Sequence, residues 1–451
     1  MKHNYLDTTT TIVAPATSVG GAVMVVRLCG NRAIEIADKM FHGRQPLAQA
    51  KGYTLHYGNI IRPTGEVIDD VVLALFRAPH SYTGDDTVEF TLHGSEYITS
   101  EVLRLAIELG ATMAMPGEFT RRAFLAGKMD LSRAEAVADV ISSDSAWSHN
   151  VASTQMRGDY SNRLSELRGE LVRLCSLLEL ELDFSEEDVE FANRDALDNI
   201  LQNIDSSVKE LKSSFALGNV LKNGVSVAII GEPNAGKSTL LNTLVGDDCA
   251  MVSDIAGTTR DAIEATTTID GVRFRYIDTA GIRTTDDKLE KMGIDRAMRA
   301  IDKAHIILHV APVDNLNYED ISVRDNQHYI RVINKIDQTT SSEIDADSNT
   351  LTISAKYDIG INELKMRLRS IVDTSHLSSK SVVVTNMRHY AALSDAAEAL
   401  NDVRCAMYNG LSADLIAEDV RRVIHHIGEI TGEITSDDIL HSIFSKFCIG
   451  K

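Results

Sequence analysis

The sequence predicts a multidomain fold: an α+β domain at the N-terminus, a discontinuous α-helical bundle, and an α/β domain inserted into that bundle. Three observations predict it. The chain has 451 residues, enough for two or three domains. Prolines stand at Pro15, Pro46, Pro63, Pro79 and Pro116, then only at Pro233 and Pro312, so long stretches are free to form uninterrupted helices. Residues 231–238 read GEPNAGKS, a glycine-rich loop in the middle of the chain, where an inserted domain would carry it. The expected boundaries are 1–120 for the α+β domain, 121–218 for the first helical part, 219–376 for the inserted domain, and 377–451 for the second helical part.

Within residues 1–120, short β-rich runs such as 23–28 and 71–76 are broken by Gly and Pro. The bundle is read from apolar residues three and four apart. Leu164, Leu167, Leu171, Leu174 and Leu178 make one such series, and Leu197, Leu201, Ile204, Val208, Leu211 and Phe215 make a second. Leu393, Ala396, Leu400, Val403 and Met407 resume the pattern after the inserted domain.

In the inserted domain, the apolar run 225–230 ends at Gly231, and Leu240, Leu241 and Leu244 follow the loop at helical spacing. A strand, loop and helix in that order aim backbone N–H groups and a helix N-terminus at phosphate. Asn234, Ala235, Gly236, Lys237, Ser238 and Thr239 form the cradle. Lys237 is placed to reach the β and γ oxygens, and Ser238 to ligate Mg²⁺.

Further elements follow in order. Asp278, Thr279, Ala280 and Gly281 come after the apolar run 272–277, so Asp278 stands at a strand end as a second Mg²⁺ contact. Asn334, Lys335, Ile336 and Asp337 follow the strand-like run 329–333, and Ser354, Ala355 and Lys356 come later. This series resembles the P-loop GTPases. The resemblance makes Asp337 the guanine reader, residues 354–356 the last base-contacting loop, and residues 257–261 switch I, with Thr259 or Thr258 the third Mg²⁺ contact. GTP is therefore the expected nucleotide. Ile282 stands where Ras-like switches place a water-orienting Gln, so hydrolysis needs another group. Asp286, Asp287 and Glu290 lie just downstream, although such a stretch is usually solvated surface.

A net charge of −20 argues against wrapping nucleic acid by bulk electrostatics. The five cysteines, Cys29, Cys175, Cys249, Cys405 and Cys448, lack metal-ligand spacing and suit a reducing compartment. With no cationic, apolar leader and no apolar run near ~18 residues, a cytoplasmic location without a membrane partner is expected.

Motifs outside the inserted domain carry a second, wider resemblance. Residues 81–86 (SYTGDD), His93-Gly94, residues 116–124 (PGEFTRRAF), residues 134–139 (AEAVAD) and the terminal residues 447–451 (FCIGK) resemble the MnmE (TrmE) family of tRNA modification GTPases, end to end. The resemblance implies a homodimer formed through a folate-binding-like N-terminal domain. It implies work with the flavoprotein MnmG, which holds FAD, to place an aminomethyl-type group, carboxymethylaminomethyl, on C5 of the tRNA wobble uridine. The one-carbon unit would come from a tetrahydrofolate derivative. K⁺ would be held by Asn234 in place of an arginine finger, and Glu290 would act on the attacking water. Cys448 would take part in the modification, at a folate and tRNA-modification site of Arg27, Glu89, Lys128 and Lys451. Two positions depart from the family pattern: Gly20 and Met115 stand where arginines are usual. Their loss predicts weakened or altered folate binding, because Arg grips carboxylates in planar, bidentate fashion. Two other classes fit less well. A ribosome-assembly GTPase usually carries a basic RNA-binding domain, and a stand-alone folate carrier would not need the GTPase elements.

Overall fold

The computed structural model describes residues 8–18, 20–183, 194–246, 265–277, 300–318, 321–324, 327–339, 349–372 and 382–450. The chain divides into two compact units. The first comprises Met1–Ile141, Gln155–Ser207 and Ala392–Lys451, and the second comprises Ser142–Thr154 and Val208–Ala391.

The first unit contains a sheet of β1 (Ile12–Pro15), β2 (Val23–Cys29), β3 (Phe41–Gly43), β4 (Thr54–Ile61), β5 (Val67–Phe76), β6 (Thr87–His93) and β7 (Thr112–Met113). Their order is β3-β4-β5-β6-β2-β1-β7, antiparallel throughout except for the β1–β7 pair. Alternation along β5 sends Val71, Leu73 and Leu75 into a core with Val26, Phe90 and Val102, beneath the helices Ala33–Met40 and Glu96–Glu108. The opposite alternation leaves Leu55, Tyr57 and Val72 exposed, with Tyr57 and Val72 directly paired in register.

The helix Glu118–Leu125 explains why the run PGEFTRR is so polar yet lies inside. Arg122 is 1% exposed, donates to Glu118 at 2.9 Å, and donates to the Thr10 carbonyl at 2.7 Å. A buried cation needs such a set of acceptors. In the helical part of the same unit, the leucines from Leu164 to Leu178 that recur at three and four residues are all buried, as are Leu393, Ala396, Leu400 and Val403. The helix Ala413–Thr431 packs along Asp159–Asp183. The bundle is thus built from segments on both sides of the inserted domain, as the periodicity predicts.

The second unit holds a sheet of β8 (Val225–Ile230), β9 (Ala265–Ile269), β10 (Val272–Ile277), β11 (Ile306–Pro312), β12 (His328–Asn334) and β13 (Thr350–Thr352), in the order β13-β12-β11-β8-β10-β9. All neighbours are parallel except β9 and β10. Every residue of β8 is buried, which is why five of its six side chains are apolar and the sixth, Ser226, has its hydroxyl hydrogen-bonded to the Lys303 carbonyl. The helices Lys237–Val245 and Ile361–Ile371 bury Leu240, Leu244, Leu364 and Leu368 against Val227, Phe274 and Leu308. The sequence reading passed over β9 because its centre is Thr266, Thr267 and Thr268, polar but β-branched residues that an edge strand accepts. Residues 142–154 join this unit: Trp147 lies beside Gly271 at the β9–β10 turn, and Asp144 pairs with Arg273. Among the described residues, no helix is long and apolar enough to cross a membrane.

Candidate functional sites: the phosphate loop and the Arg27 site

The loop after β8 is shaped by backbone that only certain residues tolerate. Gly231 has φ +139, and a Cβ there would lie 2.0 Å from the Val310 carbonyl oxygen. Gly236 has φ +94, and a Cβ would meet the Asn334 amide at 2.2 Å. Asn234 adopts φ +64, a conformation that Asn accepts more readily than most residues. The helix Lys237–Val245 then begins, and Ser238 and Thr239 in its first turn are exposed, beside the unpaired N–H groups that any helix N-terminus offers.

Lys237 Nζ donates to the carbonyls of Gly231 and Glu232, each at 2.7 Å, and partial burial pushes its pKa down. Asn334, at the end of β12, is 2% exposed and ties the site together. Its amide donates to the Ala235 carbonyl at 2.9 Å, and its side-chain oxygen accepts from the Ala355 N–H at 3.0 Å. Lys335 has φ +64 and leads to Asp337, whose carboxylate accepts from Ser354 Oγ at 2.5 Å. The Asp337 side chain is exposed. Lys356 lies 5.0 Å from the Tyr357 ring centroid.

The structure therefore gathers Asn234, Ala235, Gly236, Lys237, Asn334, Asp337, Ser354 and Ala355 around one loop. Asp278, Thr279, Ala280, Gly281, Thr258, Thr259, Ile282 and Glu290 lie outside the described residues, as does Lys451. Sequence reasoning missed Thr243, which donates to the Thr239 and Ala355 carbonyls at 2.9 Å each, joining the loop helix to residues 354–356. It also missed Glu232, whose carboxylate accepts from Asn315 and Asn317 at 3.0 and 2.9 Å. Neither contact leaves a local sequence signal. Among the described residues no group of three His, Cys, Asp or Glu side chains is set to hold a metal. Ser238 carries a neutral hydroxyl oxygen of the hard kind that Mg²⁺ accepts.

In the first unit, Arg27 and Glu89 are register partners on β2 and β6, and Nε donates to the carboxylate at 2.7 Å. The guanidinium also donates to the Gly450 carbonyl at 3.1 Å and lies 5.3 Å from the buried Phe119 ring centroid. Tyr82 and Thr120 share a hydrogen bond of 2.9 Å nearby, and burial raises the Tyr82 pKa. Lys128 donates instead to the Pro79 carbonyl at 2.6 Å. Cys448 is exposed, and its carbonyl accepts from the Gly117 N–H at 3.4 Å. Gly20 has φ +104, so an arginine there would meet backbone strain.

A mostly parallel sheet whose central strand runs into a backbone-lined phosphate loop, with a buried Asn and an exposed Asp beside it, defines the class: a P-loop GTPase. The family profile described as "GTP-binding protein TrmE N-terminus" matches residues 11–128, and the one described as "MnmE helical domain" matches residues 131–448. The tRNA modification GTPase MnmE of Christiangramia forsetii is 47% identical, with 98% of this chain and 99% of that protein aligned. The corresponding proteins of Bacteroides fragilis and Flavobacterium johnsoniae are 46% and 45% identical over the same shares. The chain belongs to the MnmE family of tRNA modification GTPases.

Proposed function

We propose that this chain is a K⁺-activated GTPase that works as a homodimer with the flavoprotein MnmG. Together they would add a carboxymethylaminomethyl-type group to C5 of the tRNA wobble uridine, with a folate one-carbon unit, FAD on the partner, and a cytoplasmic location. The observation that carries this reading is the 45–47% identity, over 98% of the chain, to proteins named tRNA modification GTPase MnmE. The proposed domains are 1–120, 121–218, 219–376 and 377–451.

The chain's own groups divide the work. Backbone N–H groups of the loop and the N-terminus of the helix Lys237–Val245 bind phosphate. Lys237 exchanges the Gly231 and Glu232 carbonyls for phosphate oxygens, which compensates its half-buried charge. Ser238, Asp278 and Thr259 are assigned to Mg²⁺, which neutralises charge on the transferring phosphoryl group. Asn234, exposed and left-handed, is assigned to K⁺, and Glu290 to the water. Asp337, held by Ser354, reads guanine. The exposed apolar face of Leu55, Tyr57 and Val72 supports association between two copies.

The decisive experiment combines the purified chain with its flavoprotein partner, GTP, methylenetetrahydrofolate, a nitrogen donor and unmodified tRNA, and identifies the nucleosides by mass spectrometry. Modified wobble uridine is expected, and its absence together with active GTP hydrolysis would point to a regulatory switch instead. Hydrolysis should also run faster in K⁺ than in Na⁺ at equal ionic strength, and Asn234→Ala should erase that difference. Equal wild-type rates in both salts would remove the K⁺ assignment.

A further inference from the structure

Residues 444–450 are held by several independent contacts, two of them to strands of the N-terminal sheet. Phe444 and Phe447 are buried with Leu131, Ala134, Leu440 and Ile443, which anchors the segment hydrophobically. At Gly117, φ is +67 and a Cβ would lie 2.7 Å from the Phe444 carbonyl oxygen, so the loop before helix Glu118–Leu125 approaches the tail as only glycine allows. At Gly450, φ is +95 and a Cβ would lie 2.0 Å from the Pro15 carbonyl oxygen of β1. Between these contacts Cys448 remains exposed.

The polar contact at the far end of this tail comes from Arg27. Its side chain is 18% exposed and is fixed on two sides, by the ion pair with Glu89 and by the face of Phe119. A guanidinium so constrained has a preset donor direction, and here one N–H meets the Gly450 carbonyl. We propose that Arg27 is a positioning residue for the C-terminal tail: by holding Gly450 it places the segment that presents Cys448 beside the β2–β6 pair. The inference rests on reading Cys448 as part of that site, and it gives Arg27 a task separate from contact with any ligand. Lysine would keep the charge but not the planar fork that serves Glu89 and Gly450 together.

The test uses the full-length protein and two readouts. Hydrogen exchange is followed at the Gly117 amide, which the Cys448 carbonyl protects, and iodoacetamide labelling of Cys448 is measured relative to the exposed Cys405 in the same molecule. Arg27→Ala should speed Gly117 exchange roughly tenfold, equivalent to about 1.4 kcal/mol of lost docking, and should raise the labelling ratio. Arg27→Lys should fall between it and wild type. Gly450→Ala, which leaves every residue of the sheet and of the Arg27–Glu89 pair in place, should give the same signature, because its Cβ cannot sit against the Pro15 carbonyl. Wild-type exchange and labelling in either Arg27→Ala or Gly450→Ala would overturn the proposal. Cys448→Ser separates the two readings. If it still supports full uridine modification, the role given to Cys448 falls while the clamp stands; if the clamp fails, the exchange data alone report it.

Discussion

The phosphate loop and the Arg27 site are built from opposite materials. The loop is contiguous backbone: Gly231, Asn234 and Gly236 hold left-handed conformations within six residues of one another, and Lys237 rests on carbonyls of that same loop. The Arg27 site is assembled from side chains and termini far apart in the chain, with Glu89 across a strand pair, Phe119 from a helix, and Gly450 from the tail. Backbone recognition tolerates variation in side chains but not in glycines. Side-chain recognition tolerates loop changes but depends on the packing that orients each guanidinium.

That difference can be broken or sharpened by substitution. If the N-terminal unit depends on oriented arginines, Arg122→Met should lower its stability by about 3–5 kcal/mol, because Glu118 is left buried with fewer partners. Denaturant unfolding followed by circular dichroism reads this, and a loss below about 1 kcal/mol would mean the buried pair is not what orders the unit. On the loop side, Lys237→Ala should reduce GTP hydrolysis on the order of 10²–10³-fold while leaving the fold intact, since the loop backbone does not require the amine. A steady-state phosphate-release assay measures it, and near-normal turnover would show that backbone alone suffices.

Asp337→Asn comes next. Replacing an acceptor-only carboxylate by an amide should weaken GTP binding on the order of 10²-fold and favour xanthosine triphosphate, whose base edge offers an acceptor where guanine has its amine. Competition binding with both nucleotides tests this, and unchanged preference would move the guanine reader elsewhere. The smallest effect belongs to His93, whose pKa is raised by its hydrogen bond and charge interaction with the buried Asp69. A raised folded-state pKa means the contribution is fully present below the ordinary value of 6.5 and is lost as pH rises through the folded value. The unfolding midpoint should therefore drift slightly downward from pH 6.5 upward, and His93→Gln should flatten that drift.

Much of the phosphate site was legible because its parts are short and contiguous. The runs that become β8 and β10 have the bounds the sequence implies: β8 is buried along its whole length, whereas β10 alternates, with Val272, Phe274 and Tyr276 buried and Arg273 and Arg275 on the less buried face. Asn334 was legible as a motif residue, but not its two hydrogen bonds, one donated to the Ala235 carbonyl and one accepted from the Ala355 N–H, which join loops far apart in the chain. Thr243 and Glu232 carried no signal, because a hydroxyl or carboxylate facing a neighbouring loop looks like any other surface residue. The Arg27 cluster was reached only by family resemblance. No spacing in the sequence announces that residue 27 meets residue 450.

By itself, the sequence determined the three-part architecture, the phosphate loop and the family, because helix periodicity, buried strands and backbone-defined turns are local properties written in neighbouring residues. Only the tertiary structure decided the order of the strands, the burial of Arg122 among its acceptors, and the seating of the C-terminal tail on Arg27. Those depend on which distant surfaces meet, and on glycines whose missing Cβ atoms matter only once the opposing carbonyl is in place.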